Sequence, residues 1–270
     1  MPNIADGFRH GQANRLPHQC RSFCATLGCA LFALTAPLLL AAGAGQVPQP
    51  GTASVTGSVE ITNSHEPAVR RKDYSGVILW LERVDRTTPQ PPPAPKRALM
   101  VQKDQHFQPH VLAIPVGSTV EFPNRDPIYH SAFSNYSGQQ FDIALYKPGT
   151  SPKEIFKTPG IVRVFCNIHP TMSAIIAVLP TSWYAVTGPT GKFTLADVPP
   201  GEYQLRIFYE RALPDFLASL ERRITVTEEG KTLPLISISE TGWVPSPHMN
   251  KYGMPYPPVP NNGTYPGAPK

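Results

Sequence analysis

A cysteine, a histidine and a methionine follow one another at three-residue steps between Phe165 and Met172. The side chains of Cys166, His169 and Met172 offer a thiolate, an imidazole and a thioether, which are soft or borderline metal ligands. A strand that ends at Cys166 and turns at once can gather these groups around one point, which an extended strand cannot do. The spacing therefore predicts a metal-binding loop.

A trigonal site needs a second imidazole from a different part of the fold. His130 is the best candidate, because it follows the strand-like run 119–122 and the turn-forming residues 124–127. A loop at that position reaches the same end of a β-sandwich as the Cys166 loop. Two histidines, one cysteine and a distant methionine form the set that favours one copper ion in fast one-electron transfer.

Other chemistries also use a cysteine and a histidine. A nucleophilic pair of Cys166 and His169 would need an orienting group for its base, and the sequence offers none. A structural zinc site needs four strong ligands, and the thioether of Met172 is a poor fourth. A lone inward cysteine is often only a small core residue. Oxidase or nitrite reductase chemistry needs further copper centres, and no second ligand set is visible, so we expect no enzyme activity.

The composition predicts a chain with many turns. Of its 270 residues 33 are proline, about twice the usual share, and they leave few stretches in which a long helix survives. The formal charge of +5 is too small, and too evenly spread, to indicate a nucleic-acid surface. An all-β protein that does not bind nucleic acid is expected.

The N-terminal segment predicts export. Residues 25–45 are almost wholly apolar or small, follow a positive stretch and end in Ala42-Gly43-Ala44. Residues 1–44 therefore read as a signal peptide, and the exported chain is periplasmic or secreted without stable membrane insertion. A retained membrane anchor is the alternative, because the stretch is about as long as a bilayer-spanning helix.

Signal removal changes the count of cysteines. Cys20, Cys24 and Cys29 lie within the signal, so the mature chain keeps Cys166 as its one thiol. In an oxidising compartment a single thiol is a liability unless it is buried or bound to a partner such as a metal. The cysteine count thus agrees with the metal-binding loop.

The rest of the chain divides by composition. Runs rich in β-branched and aromatic residues predict strands before and after the copper segment, and Pro214–Leu220 predicts one short helix. The expected parts are a first β-sandwich segment (52–86), a stiff Pro-rich linker (87–97), the copper domain (98–181), a second β-sandwich segment (182–240) and a disordered tail (241–270).

The copper segment resembles the cupredoxin family. The resemblance rests on three stretches, on His130 and on the clip Cys166-x-x-His169-Pro170-x-Met172, which is most similar to the amicyanin ligand loop. The stretches are Phe107-Gln-Pro109, Pro115-Val-Gly117 and Val120-Glu-Phe-Pro-Asn124. The wider chain resembles exported methylamine-utilisation-type cupredoxins. The family implies a Greek-key β-sandwich or barrel that holds one Cu(II)/Cu(I) ion.

The resemblance also implies roles for single residues. His130, Cys166 and His169 are the strong equatorial ligands, and Met172 is the weak axial one. Many members carry asparagine directly after the first histidine, whereas this chain carries Ser131, which leaves the bridge between the two ligand loops open. The residues expected behind the ligands are Ser131, Asn124 and Asn167. The residues expected at the electron-exit and docking surface, around a solvent-facing edge of His169, are Ile168, Pro170, Thr171 and Ile128.

The flanking strands resemble the two halves of a carboxypeptidase-regulatory-like (transthyretin-like) β-sandwich. The matching runs are Val55–Val59 and Gly76–Val84 in the first half, and Gly191–Leu195 and Pro199–Tyr203 in the second. Because the copper segment separates them, we expect a copper domain inserted into the second, small sandwich. A head-to-tail order of domains is the alternative.

Three functions fit this sequence. An electron carrier would exchange electrons with a redox protein such as a c-type cytochrome or a periplasmic dehydrogenase, which is an analogy with the family. A copper delivery or storage protein would release the metal, and such proteins usually carry repeated Met or His clusters. In an envelope binding or scaffold module, copper would be a minor or vestigial feature. The sequence favours the electron carrier.

Overall fold

The fold is nearly all β, as the sequence predicts, in a computed structural model that describes residues 52–85, 92–135 and 138–257. The predicted signal peptide lies outside the described residues. Within the described part of the chain, no helix is long and apolar enough to cross a membrane. The elements, in chain order, are β1 Ala53–Thr62, α1 Pro67–Arg70, β2 Ile78–Arg83, β3 Arg97–Leu99, β4 Val101–Lys103, β5 His106–Gln108, β6 Val111–Pro115, β7 Thr119–Glu121, β8 His130–Ser134, β9 Phe141–Tyr146, β10 Lys153–Ile155, β11 Gly160–Phe165, β12 Ser173–Leu179, β13 Tyr184–Val186, β14 Lys192–Val198, β15 Gly201–Phe208, α2 Pro214–Leu220, β16 Arg222–Val226, β17 Lys231–Thr232 and β18 Ile236–Ser239.

The outer sandwich is built from strands at both ends of the described chain. One sheet joins β14, β1 and β17, with β18 pairing with β1, and the other joins β13, β2, β15 and β16. In β15, Tyr203, Leu205 and Ile207 alternate with polar residues, so every second side chain enters the apolar core between the sheets. Strands before residue 84 and after residue 183 thus share both sheets, which a nested arrangement requires. The predicted helix Pro214–Leu220 is present as α2.

The inner sandwich lies between β2 and β13 in sequence. Its larger sheet has the order β6-β12-β11-β8-β9, and its smaller sheet has the order β10-β7-β3. The chain crosses between the two sheets on passing from β6 to β7 and from β7 to β8. Arg97, assigned to the linker by its composition, is already the first residue of β3, because β3 pairs in parallel with β7. Residues 87–91 of the predicted linker, and residue 86 before it, lie outside the described residues.

The two sandwiches meet through a small apolar cluster and a polar contact. Ile78 of β2 packs with Ala113 of β6 and with residues of β12. Beside this contact, Nε2 of His110 lies 2.6 Å from Oε2 of Glu210, and Nδ1 of His110 lies 3.0 Å from the Ser173 carbonyl. His110 belongs to the inner sandwich and Glu210 follows β15 of the outer one. The junction therefore combines apolar burial with a contact between a histidine and a carboxylate.

The prediction of a disordered tail over 241–270 is wrong for residues 241–257. Residues 243–257, which we call the strap, make specific contacts with the loop after β11 and with the β8–β9 region. Asn135 Nδ2 donates to the Lys251 carbonyl (2.9 Å), and Lys251 Nζ lies 2.8 Å from Oδ2 of Asp142. The strap has few aliphatic residues, but its aromatic rings and polar groups find partners on the inner sandwich. Residues 258–270 lie outside the described residues.

Candidate metal centre

Three ligand atoms converge at one end of the inner sandwich. Nδ1 of His130 lies 3.1 Å from Nδ1 of His169, and Sγ of Cys166 lies 3.5 Å from His169 Nδ1 and 3.9 Å from His130 Nδ1. All three side chains are buried. The point equidistant from these atoms is about 2 Å from each, which matches metal bonds to imidazole nitrogen and thiolate sulfur. The three side chains therefore fit one metal ion.

The loop between β11 and β12, residues 166–172, carries two of these ligands. Phe165 pairs with Ser173 across the hairpin, so the loop begins and ends at neighbouring points. The Cys166 amide donates to the Met172 carbonyl (3.2 Å), and the Met172 amide donates to the His169 carbonyl (3.1 Å). These bonds close the loop on itself. Because Val162, Val164 and Cys166 point inward together, the strand period places the thiol in the core.

His130 reaches the site from a different loop, as the sequence predicts. It is the first residue of β8, after the turn 124–128. Asn124 fixes this turn: its Oδ1 accepts the Asp126 amide (3.0 Å) and its Nδ2 donates to the Ile128 carbonyl (2.8 Å). The backbone therefore holds the imidazole of His130 at the end of the sandwich.

Asp126 orients the His130 ring. Its Oδ2 lies 2.7 Å from Nε2 of His130, and its carboxylate also accepts the amides of Asp104 (2.6 Å) and Gln105 (2.9 Å). A neutral imidazole has one N–H, and with that proton on Nε2 facing the carboxylate, Nδ1 keeps its lone pair. That lone pair is then available to a metal ion between Nδ1 of His130 and Sγ of Cys166, which lie 3.9 Å apart. Histidine ligands in metal sites are commonly oriented in this way.

The electrostatics keep both imidazoles neutral at pH 7. Burial lowers the pKa of His130, and the nearby Asp126 carboxylate offsets this only in part. Burial, followed by the charge of His130, lowers the pKa of His169 to about 4. Burial raises the pKa of Asp126, but hydrogen bonds from Gln105 and His130 outweigh it and the net direction is down. Two neutral nitrogen donors beside an ionised carboxylate suit a metal cation.

Ser131 provides the bridge that the sequence left open. Its Oγ accepts the Asn167 amide (2.8 Å) and lies 3.7 Å from Sγ of Cys166. The hydroxyl thus joins the His130 loop to the 166–172 loop beside the sulfur. Met172 is fully buried in the same core as Cys166, as an axial thioether requires. The predicted ligand set and the residues behind it remain predictions until metal is bound.

The surroundings of His169 differ from expectation. The sequence predicted a solvent-facing ring edge, but His169 is only 1% exposed. Of the predicted docking residues, Pro170 and Thr171 are exposed, whereas Ile168 and Ile128 are half-buried. The strap packs on this loop, where Asn167 Oδ1 accepts the Lys251 amide at 2.9 Å.

Sequence reasoning missed several side chains around the site. Asp126 stands four residues before His130, and a carboxylate at that spacing was a readable signal. Gln102 and Tyr146 gave no such signal, because three strands bring them together. Gln102 Nε2 donates to the Ser131 carbonyl (3.0 Å), and the Tyr146 hydroxyl donates to Gln102 Oε1 (2.7 Å). Burial, followed by the charge of Cys166, raises the pKa of Tyr146, so its hydroxyl stays a donor.

Comparison with known proteins gives limited similarities. No protein-family model matches the sequence, and no curated protein matches it significantly. Among solved structures, the purple cupredoxin from Nitrosopumilus maritimus is similar at 23% identity over 30% of this chain and 99% of its own, with a TM-score of 0.29.

Two other copper proteins show similarities of the same size. A reduced Cu(I) form of a mutant of amicyanin is 19% identical over 30% of this chain and 80% of its own (TM-score 0.29). The copper-containing nitrite reductase from Thermus scotoductus is 26% identical over 46% of this chain and 28% of its own (TM-score 0.30). Similarities at these TM-scores do not assign a function, which has to come from the side chains.

Proposed function

We propose that this protein is an exported electron carrier with one type 1 copper ion bound by His130, Cys166, His169 and Met172. The observation that carries the proposal is the convergence of three buried ligand atoms from two loops, each within 3.9 Å of the others. Copper bound there supplies a one-electron Cu(II)/Cu(I) couple. Two imidazoles, a thiolate and a thioether suit copper better than zinc, which prefers four strong ligands in a closed site.

The chain contributes rigidity. Asp126 holds the His130 ring from behind, and Ser131 ties the two ligand loops together. The backbone bonds between Cys166, His169 and Met172 hold the second loop in shape. A pocket whose donors are already fixed gives nearly the same positions to both oxidation states, so little rearrangement opposes electron transfer. Burial of the ligands also keeps water out of the site.

Retention of the metal is favoured over delivery. A delivery protein presents open ligands to its acceptor, whereas the three ligands here are at most 1% exposed. In the described part of the chain, these residues form the one group of three His, Cys, Asp or Glu side chains within ligand distance. This arrangement supports a carrier that keeps its copper.

A partner redox protein, such as a c-type cytochrome or a periplasmic dehydrogenase, would dock at the metal end of the inner sandwich. Pro170 and Thr171 are exposed there, and the strap adds the exposed side chains Met249 and Met254. A small, mainly apolar surface of this kind suits brief docking, because transient redox complexes bury little area.

Loading the chain that begins after residue 44 with Cu(II) tests the proposal. An intense blue or purple colour and an electron-spin spectrum of a copper–thiolate site are expected, and both should be lost in Cys166→Ala. Ascorbate should bleach the colour reversibly, with copper still bound after desalting. A colourless protein, or one that gives up copper on reduction, would contradict the carrier.

A further inference from the structure

The strap meets the ligand loop next to the cysteine ligand. The Tyr256 hydroxyl donates to the carbonyl of Cys166 at 2.7 Å. The same oxygen lies 3.1 Å from Nδ1 of His248. Because the one proton of the hydroxyl is used on the carbonyl, the contact with His248 requires that Nδ1 carries the proton and donates. The result is a directional chain of hydrogen bonds from His248 through Tyr256 to Cys166.

Aromatic packing supports this chain. The His248 ring stacks on Phe165, the residue before the cysteine, with ring centroids 4.1 Å apart and an interplanar angle of 27°. Tyr256 meets His248 edge-on, at 5.2 Å and 88°. Stacked and edge-to-face rings add stabilisation beyond the area that they bury. The two strap side chains thus hold each other as well as the loop.

A third contact lies one residue further along the loop. The Lys251 amide donates to Oδ1 of Asn167, so the strap touches residues 165, 166 and 167 in a row. The Asn167 amide in turn donates to Ser131 Oγ of β8. The segment around the thiolate is therefore held by β8 and by the strap together.

We propose that the strap is a positioning element of the copper site, in which Tyr256 and His248 fix the Cys166 end of the ligand loop and slow the release of copper. The inference rests on the proposed function and adds two residues outside the sandwich to it. Neither residue is a ligand. They act through the Cys166 carbonyl and the Phe165 ring. A hydrogen bond accepted by that carbonyl draws electron density away from the ligand residue, which favours the reduced state of the metal.

The sharpest test removes one oxygen. Tyr256→Phe keeps the ring against His248 and loses the bond to the Cys166 carbonyl. Tyr252→Phe is the matched control, because Tyr252 lies in the same strap and is 73% exposed. In metal-free protein, amide hydrogen exchange at Asn167 and Met172 should become about two- to tenfold faster in Tyr256→Phe, the range expected for one hydrogen bond, and stay unchanged in Tyr252→Phe.

In copper-loaded protein, the reduction potential and the rate of copper release report on the copper site itself, whereas a purely structural role of the strap would leave the potential unchanged. Tyr256→Phe should lower the reduction potential and release copper to a chelator about two- to tenfold faster. His248→Ala should have a similar effect, and His248→Phe, which keeps a ring on Phe165, should partly restore slow release. Equal exchange, potential and release in Tyr256→Phe and Tyr252→Phe would overturn the proposal, as would faster exchange with an unchanged copper site.

The wild-type protein separates the two proposals. If it turns blue with copper while Tyr256→Phe behaves as the control does, the electron carrier stands and the role of the strap is wrong. If the wild type binds no copper, the proposed function is wrong, and the strap has no copper site to position.

Discussion

The core of the outer sandwich and the metal end of the inner sandwich are both buried, but they are held together differently. The outer core is almost entirely apolar, with Leu79, Leu81 and Leu205 fully buried. At the metal end several polar side chains are buried instead, namely Gln102, Asn124, Asp126, His130, Ser131 and His169. An apolar core tolerates small shifts, whereas each buried polar group costs free energy unless its partners are in place. Burial of these polar groups thus lowers the stability of the metal end, but their hydrogen bonds fix the positions of its side chains.

The largest expected effect lies in the outer core. Leu205→Ala leaves a cavity between the two sheets and should lower the free energy of unfolding by about 2–5 kcal/mol. Chemical denaturation measures this loss. The visible spectrum of the copper-loaded variant should equal that of the wild type, because Leu205 belongs to a different core from the ligands. A changed spectrum would show that the two regions are not independent.

Copper bound at the metal end of the inner sandwich should change the free energy of unfolding by a similar amount, but in the stabilising direction. At free copper a hundredfold above the dissociation constant, binding to the folded state should add about 2.7 kcal/mol to stability. Thermal unfolding with and without copper measures it. Cys166→Ala should gain nothing from the metal, and an equal gain in that variant would place the copper elsewhere.

A smaller effect, on copper affinity, is expected from Asp126, which contacts the ligand His130. Asp126→Asn removes the charge that accepts the His130 proton and two backbone amides. Copper affinity should fall about 10–100-fold, the usual result when the group that orients a histidine ligand is lost. A competition titration with a chelator measures this change. Asp215→Asn, the same change on the exposed face of α2, is the control and should leave affinity unaltered.

The smallest effect concerns the junction. The hydrogen bond and charge of Glu210 raise the pKa of His110, although partial desolvation of the ring opposes this. A pKa raised above the unfolded value of about 6.5 means that stabilisation is full below pH 6.5 and is lost as pH rises through the folded pKa. Because the His110 side chain is 49% exposed, the gain should not exceed about 1 kcal/mol.

Denaturation of the wild type and His110→Ala at pH 6 and pH 9 tests this assignment. The difference in stability between the two proteins should be larger at pH 6. Glu210→Gln should remove the pH dependence, and a difference that grows towards pH 9 would reverse the sign of the argument.

Strand periodicity and ligand spacing made much of the fold readable from the sequence. The alternation in β15 and β11 predicted which side chains point inward, and the confirmed all-β class followed from short apolar runs between prolines. The convergence of His130 with Cys166 and His169 followed from the chemistry of the residues, since the three types at those positions have few other uses.

The strap was harder to predict. Residues 241–257 lack the apolar periodicity that marks a packed element, yet single contacts such as Tyr256 with Cys166 order them. Contacts of this kind depend on the folded positions of both partners, so local sequence carries little trace of them. The burial of His169 was also not predicted.

The pairing of β1 with β18 has a consequence for how the chain assembles. Val59 finds its partner Ile236 only after the whole inner sandwich has been synthesised, and β2 likewise waits for β15. We expect the inner sandwich to fold first, because its contacts are closer in sequence, while the early strands wait with apolar faces uncovered. Pulse-labelled hydrogen exchange during refolding should protect β11 and β12 before β1. During the waiting period a chaperone would find an exposed strand to bind.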